Sequence, residues 1–141
     1  MERLPVLMPG NLEVVMVTSV AKITGLDDVP PDTRRGGEVR VLLSPKTVGS
    51  TSGFMGAATI APGDRITEHY HPFSEEFVYV ARGTLIARLD GVRHEVNERH
   101  ALLIPINVKH RLMNEGTEEV LIIFHLGPLA PRPDMGHVDT E

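Results

Sequence analysis

Apolar residues in this chain arrive in short runs, each closed by Gly, Pro or an Asp-Gly pair, and that punctuation limits the folds open to it. Runs rich in β-branched and aromatic residues fall at 14–17, 39–43, 54–60, 77–81, 84–89, 101–104 and 120–126. Strands of this length with turn residues between them indicate an antiparallel sandwich or barrel. Asp90-Gly91, set between Leu89 and Val92, suits a two-residue hairpin turn, and Arg82-Gly83 reads as another turn. No segment keeps a 3.6-residue apolar period for long, although 12–23 has room for a short helix. The stretch 25–37 holds Pro30, Pro31, Arg34 and Arg35 among acidic and small residues and reads as a loop. From Gly127 onward, Pro128, Pro131 and Pro133 cannot donate to a central ladder, which predicts an extended tail over the barrel or a partner subunit.

The 141 residues fit one domain, with an N-terminal strand and loop region at 1–52 and a Pro-rich tail at 127–141. A domain of this size buries roughly 68–70% of its unfolded surface and needs no staple. There is no cysteine, which removes disulfides and thiolate metal sites and leaves His, Asp and Glu as metal donors. The net charge is −5 and the tight basic cluster is confined to Arg34-Arg35, so binding to nucleic acid is disfavoured. Pro5, Pro9 and Gly10 interrupt the N-terminus before any long apolar run; this fits neither a signal peptide nor a membrane span and predicts a cytoplasmic protein.

Chemistry concentrates in Gly63-Asp64-Arg65-Ile66-Thr67-Glu68-His69-Tyr70-His71. On a strand alternate residues share a face, so His69 and His71 can address one ion while Tyr70 packs on the other side. About thirty residues on, Pro105-Ile106-Asn107-Val108-Lys109-His110, with Asn114 beyond, supplies a third imidazole at the mouth of another predicted strand. Glu76 offers a carboxylate, and Glu75 reads as solvated. Glu76 follows His71 by five positions, and an odd step along a strand reverses the face, so the chain near Pro72 has to bend or bulge for Glu76 to reach the ion. His125 lies inside Val120-Leu121-Ile122-Ile123-Phe124-His125-Leu126, which reads as a central strand where a polar ring needs either a metal or a backbone partner. His94, His100 and His137 fall in or near hairpin and tail segments and read as surface residues.

Gly63-x5-His69-x-His71-x4-Glu76-x6-Gly83 resembles the first cupin motif, and Pro105-x-Asn107-x2-His110-x3-Asn114 resembles the second. Arg99 and Asn107 stand where that family prefers glycine, and Asn tolerates a left-handed backbone better than other side chains. The resemblance implies an all-β cupin fold, a double-stranded β-helix or jelly-roll barrel, with a metal at its inner floor. Longer segments, 32–45, 68–77 and 124–133, resemble the cupin-type aromatic polyketide cyclases of bacterial antibiotic biosynthesis, the tetracenomycin and resistomycin type. Membership of that group implies zinc held largely by histidines at the end of an apolar cavity, and ring closure of a poly-β-ketone. It makes His69, His71, His110 and His125 the metal ligands and Glu76 a neighbouring catalytic group that moves protons. The donor types also permit iron, nickel, copper or manganese.

The chemistry expected is an aldol-type cyclisation. A methylene between two carbonyls becomes acidic when one carbonyl oxygen lies on the ion, a base, Glu76 or a metal-bound hydroxide, takes the proton, and the enolate attacks a second carbonyl folded close by. Loss of water then gives an aromatic ring. Walls drawn from Phe54, Met55, Phe73, Phe77, Ile104, Met113 and Phe124 would hold the substrate in register. Expected partners are a small polyketide or aromatic substrate, presented by a carrier protein, and a second copy in a homodimer. Two other readings share these residues: an Fe(II)-dependent dioxygenase, marked by oxygen uptake, and a non-catalytic small-ligand or sugar-binding module, marked by indifference to chelators.

Overall fold

The computed structural model describes residues 20–141, together with two short N-terminal strands, β1 (Val6–Leu7) and β2 (Val14–Val15), which pair antiparallel with each other. β2 meets the expected strand at its first two positions. Residues 16–19 lie outside the described residues, as do 12 and 13 of the helix reading at 12–23; positions 20–23 carry no helix.

Ten further strands follow: β3 (Glu38–Leu43), β4 (Phe54–Ile60), β5 (Arg65–Tyr70), β6 (Glu75–Arg82), β7 (Leu85–Leu89), β8 (Val92–Val96), β9 (Ala101–Ile104), β10 (His110–Met113), β11 (Val120–Gly127) and β12 (Val138–Asp139). They form two five-stranded sheets, ordered β12-β5-β10-β7-β8 and β3-β4-β11-β6-β9. Every pairing is antiparallel. The result is the all-β barrel that the run lengths indicated. Its interior is filled from both sheets by Ile60, Val78, Val80, Leu85, Leu112, Val120 and Ile122, all at most 2% exposed. Each such burial is worth about 1.5–3 kcal/mol.

Alternation decides which side chains join that interior. On β11, Val120, Ile122, Phe124 and Leu126 are buried, whereas Leu121, Ile123 and His125 face away. On β6, Glu76, Val78 and Val80 point inward, and Phe77 and Tyr79 are exposed. β5 breaks the two-residue rhythm. Its Ile66 and His69 are both buried although three positions apart, because the register against β10 slips between His110↔His69 and Leu112↔Ile66, a bulge of one extra residue on β5. Without that bulge His69 would face solvent.

The hairpin at Asp90-Gly91 is present, both residues left-handed (φ +47° and +83°), with Leu89 opposite Val92. Arg99 and Asn107 also adopt positive φ, +67° and +69°, so the backbone demands there what glycine gives most easily. Asn107 meets it and donates its N–H to the His71 carbonyl at 3.0 Å. A single helical turn, α1 (Pro45–Val48), was not anticipated. Ser44 caps it by accepting from the Thr47 N–H, Pro45 opens it, and Gly49 ends it with φ +71°.

The tail does more than extend. After a short 3-10 turn at Pro133–Met135 it returns to its own barrel as β12, with Val138 opposite Tyr70 and Asp139 opposite His69. Of the two covers the sequence allowed, this chain's own barrel is the one described.

Candidate metal centre

Three strands and a loop deliver four donors to one spot. β5 carries His69, the loop after it carries His71, β6 opens with Glu76 at its second position, and β10 begins at His110. The step of five between His71 and Glu76 is absorbed in that loop, residues 71–74, which leaves the strand conformation between β5 and β6. All four residues are buried, His110 completely, and their donor atoms lie within 4.8 Å of one another. The His69 and His110 rings sit 4.2 Å apart as register partners on neighbouring strands.

Each imidazole is turned by a backbone carbonyl. The Nδ1–H of His69 donates to Thr67 O at 2.7 Å, that of His110 to Val108 O at 2.9 Å, and that of His71 to Gly136 O at 2.8 Å. With Nδ1 so engaged, Nε2 is left as a bare acceptor facing inward. Nε2 of His71 and Nε2 of His110 are indeed buried without a hydrogen-bond partner. Glu76 Oε1 approaches them at 3.0 and 3.6 Å, as a charged neighbour and not as a directed hydrogen bond. Buried lone pairs converging on one another and on a carboxylate are costly unless a cation sits among them. The donor set therefore fits a divalent ion.

Electrostatics agree. Burial would raise the Glu76 carboxyl, but contacts with His110 and His71 outweigh it and hold the group well below the usual carboxylate range, so it stays ionised. His110 is pulled the other way: burial disfavours its charged form, yet the nearby ionised carboxylate of Glu76 more than offsets this and raises it. His69 drops to about 3, first through burial and then through the charge of His110. Three neutral imidazoles with one carboxylate would leave a divalent ion with a formal charge of about +1.

The structure brings together His69, His71 and His110 with Glu76, and leaves His125 out. His125 is exposed on the outer face of β11, its ring 5.7 Å from Phe77. It lies over Gly53 and Gly127, where a Cβ would stand 2.7 Å from His125 Nε2 and 3.1 Å from Cε1 respectively. The fourth ligand expected of His125 is thus corrected by parity, since Phe124 and Leu126 take the inward positions on either side. Glu76, expected as a neighbour, stands in the cluster itself. His94 and His100 are exposed as expected. His137 is not a plain surface residue: it is half-buried and stacks on His69 at 4.2 Å and 13°, because β12 pairing carries the tail across the cluster. Burial lowers its imidazole, and Asp139 Oδ1 contacts its Nε2 at 2.8 Å.

The cluster lies at the edge of a cavity of about 710 Å³. Apolar walls come from Val39, Val41, Phe54, Ile66, Ile122 and Phe124, and the rim from Arg34, Arg35, Lys46, Pro133 and His137. Of the seven expected wall residues only Phe54 and Phe124 line it. Met55 and Phe77 face a groove on the outside, Phe73 is exposed, and Ile104 and Met113 are interior packing. The loop at 25–37, which carries Val29, Pro30 and Asp32 on this cavity, and His137 were missed as site residues.

Residues 56–126 match the cupin domain family, and the chain belongs to it. The chain is also similar to Streptomyces proteins, two of which are named as polyketide synthase proteins. It is 59% identical to protein SchB of Streptomyces halstedii over 89% of this chain and 91% of that protein. It is 52% identical to polyketide synthase CurC of Streptomyces cyaneus (85% and 78%) and 44% identical to the tetracenomycin polyketide synthase protein TcmJ of Streptomyces glaucescens (89% and 83%). The solved polyketide cyclase RemF from Streptomyces resistomycificus shares the fold, with a TM-score of 0.67 at 18% identity over 86% of this chain and 87% of that one. Among the described residues no helix is long and apolar enough to cross a membrane.

Proposed function

We propose that this protein is a metal-dependent cyclase that closes and aromatises a ring on a poly-β-ketone. The observation that carries the reading is a buried cluster of three imidazoles and one carboxylate opening on a largely apolar cavity, and the similarity to polyketide-synthase proteins supports it. Bound among His69, His71, His110 and Glu76, a divalent ion, zinc by preference, would supply Lewis acidity toward a carbonyl oxygen.

The chain's own residues do the rest. Phe54, Phe124, Val41 and Ile122 present an apolar wall against which a flexible polyketone folds, and a cavity of this kind excludes the water that would compete for the carbonyls. We assign to Glu76, ionised and lining the cavity, the proton leaving the methylene between two carbonyls. Its low proton affinity restricts it to a methylene already acidified by a polarised carbonyl. The enolate carbon then bonds to a second carbonyl carbon, that oxygen takes up a proton, and loss of water completes the ring.

The substrate is proposed to arrive on a carrier protein, and the chain to work in the cytoplasm as a homodimer. Phe77, Tyr79 and Leu103, exposed together on the outer sheet face, support the dimer. The test is to incubate the protein with a synthetic poly-β-ketone and follow dehydration by mass and aromatic absorbance. Ring product that is lost on chelation and restored by zinc is expected. Chelator-insensitive turnover, or stoichiometric oxygen uptake with iron, would overturn the reading.

A further inference from the structure

The C-terminal segment makes contacts with the cluster that tail packing alone would not require. Gly136 O accepts from His71 Nδ1–H at 2.8 Å, so one of the four clustered donors takes its ring orientation from a residue 65 positions away. The next residue, His137, lies flat on His69 at 4.2 Å. Asp139, opposite His69 in the β12–β5 pairing, accepts from Arg35 Nε at 2.8 Å and from Arg35 Nη2 at 3.3 Å, and its Oδ1 also meets His137 Nε2 at 2.8 Å. Arg35 belongs to the loop at 25–37, which borders the cavity, and its carbonyl accepts from the Thr67 N–H of β5 at 2.9 Å. Beyond Asp139 the chain is fastened again: Thr140 N–H donates to Glu68 O at 3.0 Å, Glu68 N–H donates to Glu141 Oε1 at 3.0 Å, and Arg111 pairs with Glu141 at 3.0 Å.

We infer that residues 136–141 are a strap that orients the His71 and His69 imidazoles for metal binding, latched by the Arg35–Asp139 ion pair, so that Arg35 and Asp139 are positioning residues of the metal centre. The inference rests on the metal reading of the site. An exposed ion pair contributes little to folding by itself. Its weight here is geometric: it fixes Asp139, Asp139 fixes His137, and the two-residue strand that includes Asp139 brings the Gly136 carbonyl over His71. Groups that orient a metal-binding histidine through its second nitrogen typically cost about 10–100-fold in metal affinity when lost. Nothing about the strap depends on the outer face of the sheet.

The test uses the full chain, with Arg35→Gln, Asp139→Asn and the double variant, and zinc alone as probe in a competition titration against a chromophoric chelator. The two side chains are about one third and one half exposed, so neither change empties a core position. Each single variant is expected to bind zinc about tenfold more weakly, with an unchanged melting midpoint in the metal-free protein. The double variant should bind no worse than the weaker single, because both act through one contact. A second readout is free of metal: ring-nitrogen NMR of the metal-free chain should show a His71 Nδ1–H protected from exchange in the wild type and exchanging in Asp139→Asn. Variants that bind zinc within twofold of wild type and keep that protected proton would overturn the strap. A wild type that binds no zinc would overturn the metal reading instead, and the imidazole signal would then decide the strap alone. Should Arg35→Gln fail to fold, Asp139→Asn carries the decision.

Discussion

His110 and His125 are both strand histidines, one at the start of β10 and one near the end of β11, yet one is completely buried and the other is exposed. The difference is parity. His110 lies opposite His69 across a bulged register, and its neighbours leave its Nε2 no hydrogen-bond partner. His125 occupies the outward position between Phe124 and Leu126, beside Phe77 and above two glycines, in ordinary contact with the sheet surface. The same imidazole is a candidate ligand on one side of a barrel wall and a surface ring on the other, and one residue of register separates the two outcomes.

Substitutions at these positions should widen that contrast. The largest effect is expected from His110→Ala or His71→Ala, which remove a convergent Nε2. Zinc affinity should fall more than about 100-fold, beyond the range of changes that merely reorient a ligand, as read by competition titration. Next, Ile122→Ala should cost about 2–5 kcal/mol in denaturant unfolding, while Ile123→Ala, one position along on the outer side of β11, should cost near 1 kcal/mol. Glu76→Gln keeps shape and removes the charge, and zinc binding should weaken by roughly 10–100-fold, about 1.4–2.7 kcal/mol.

A smaller effect should follow pH. Below its raised value His110 takes up a proton that an ion must displace, so zinc affinity should fall as pH drops through that value, by up to about tenfold per unit. His69, already down near 3, stays neutral through the same range and adds nothing to the slope. His110→Ala should abolish the dependence along with the binding. The smallest effect belongs to His125→Ala: zinc affinity within twofold of wild type, and stability within about 0.5 kcal/mol.

Much of the architecture was legible because turn chemistry and run length are local. The Asp90-Gly91 hairpin, the strands at 54–60 and 101–104 and the all-β class follow from residues adjacent in the chain. Three of the clustered residues could be seen in the same way, from the spacing of His69, His71 and His110 inside glycine-marked segments. His125 was misplaced because Leu121-Ile122-Ile123-Phe124 shows no polar alternation. The outer face of that sheet is itself apolar, with Phe77, Tyr79 and Leu103 exposed, so hydrophobicity carried no record of which positions point inward. Counting by two from Val120 would have placed His125 outside. His137 was hidden for another reason: its position depends on a two-residue strand pairing across more than sixty positions, and nothing in its own neighbourhood announces that. The bulge on β5 was equally silent, since Thr67 and Glu68 are unremarkable as sequence and only the pairing with β10 shows the extra residue.

The most direct test of the account is anomalous diffraction at the zinc edge from crystals of full-length protein grown without chelator. One peak is predicted, about 2.0–2.2 Å from Nε2 of His69, His71 and His110 and from a Glu76 carboxylate oxygen. A peak at His125, or density showing the three inner rings bridged by water alone, would contradict it.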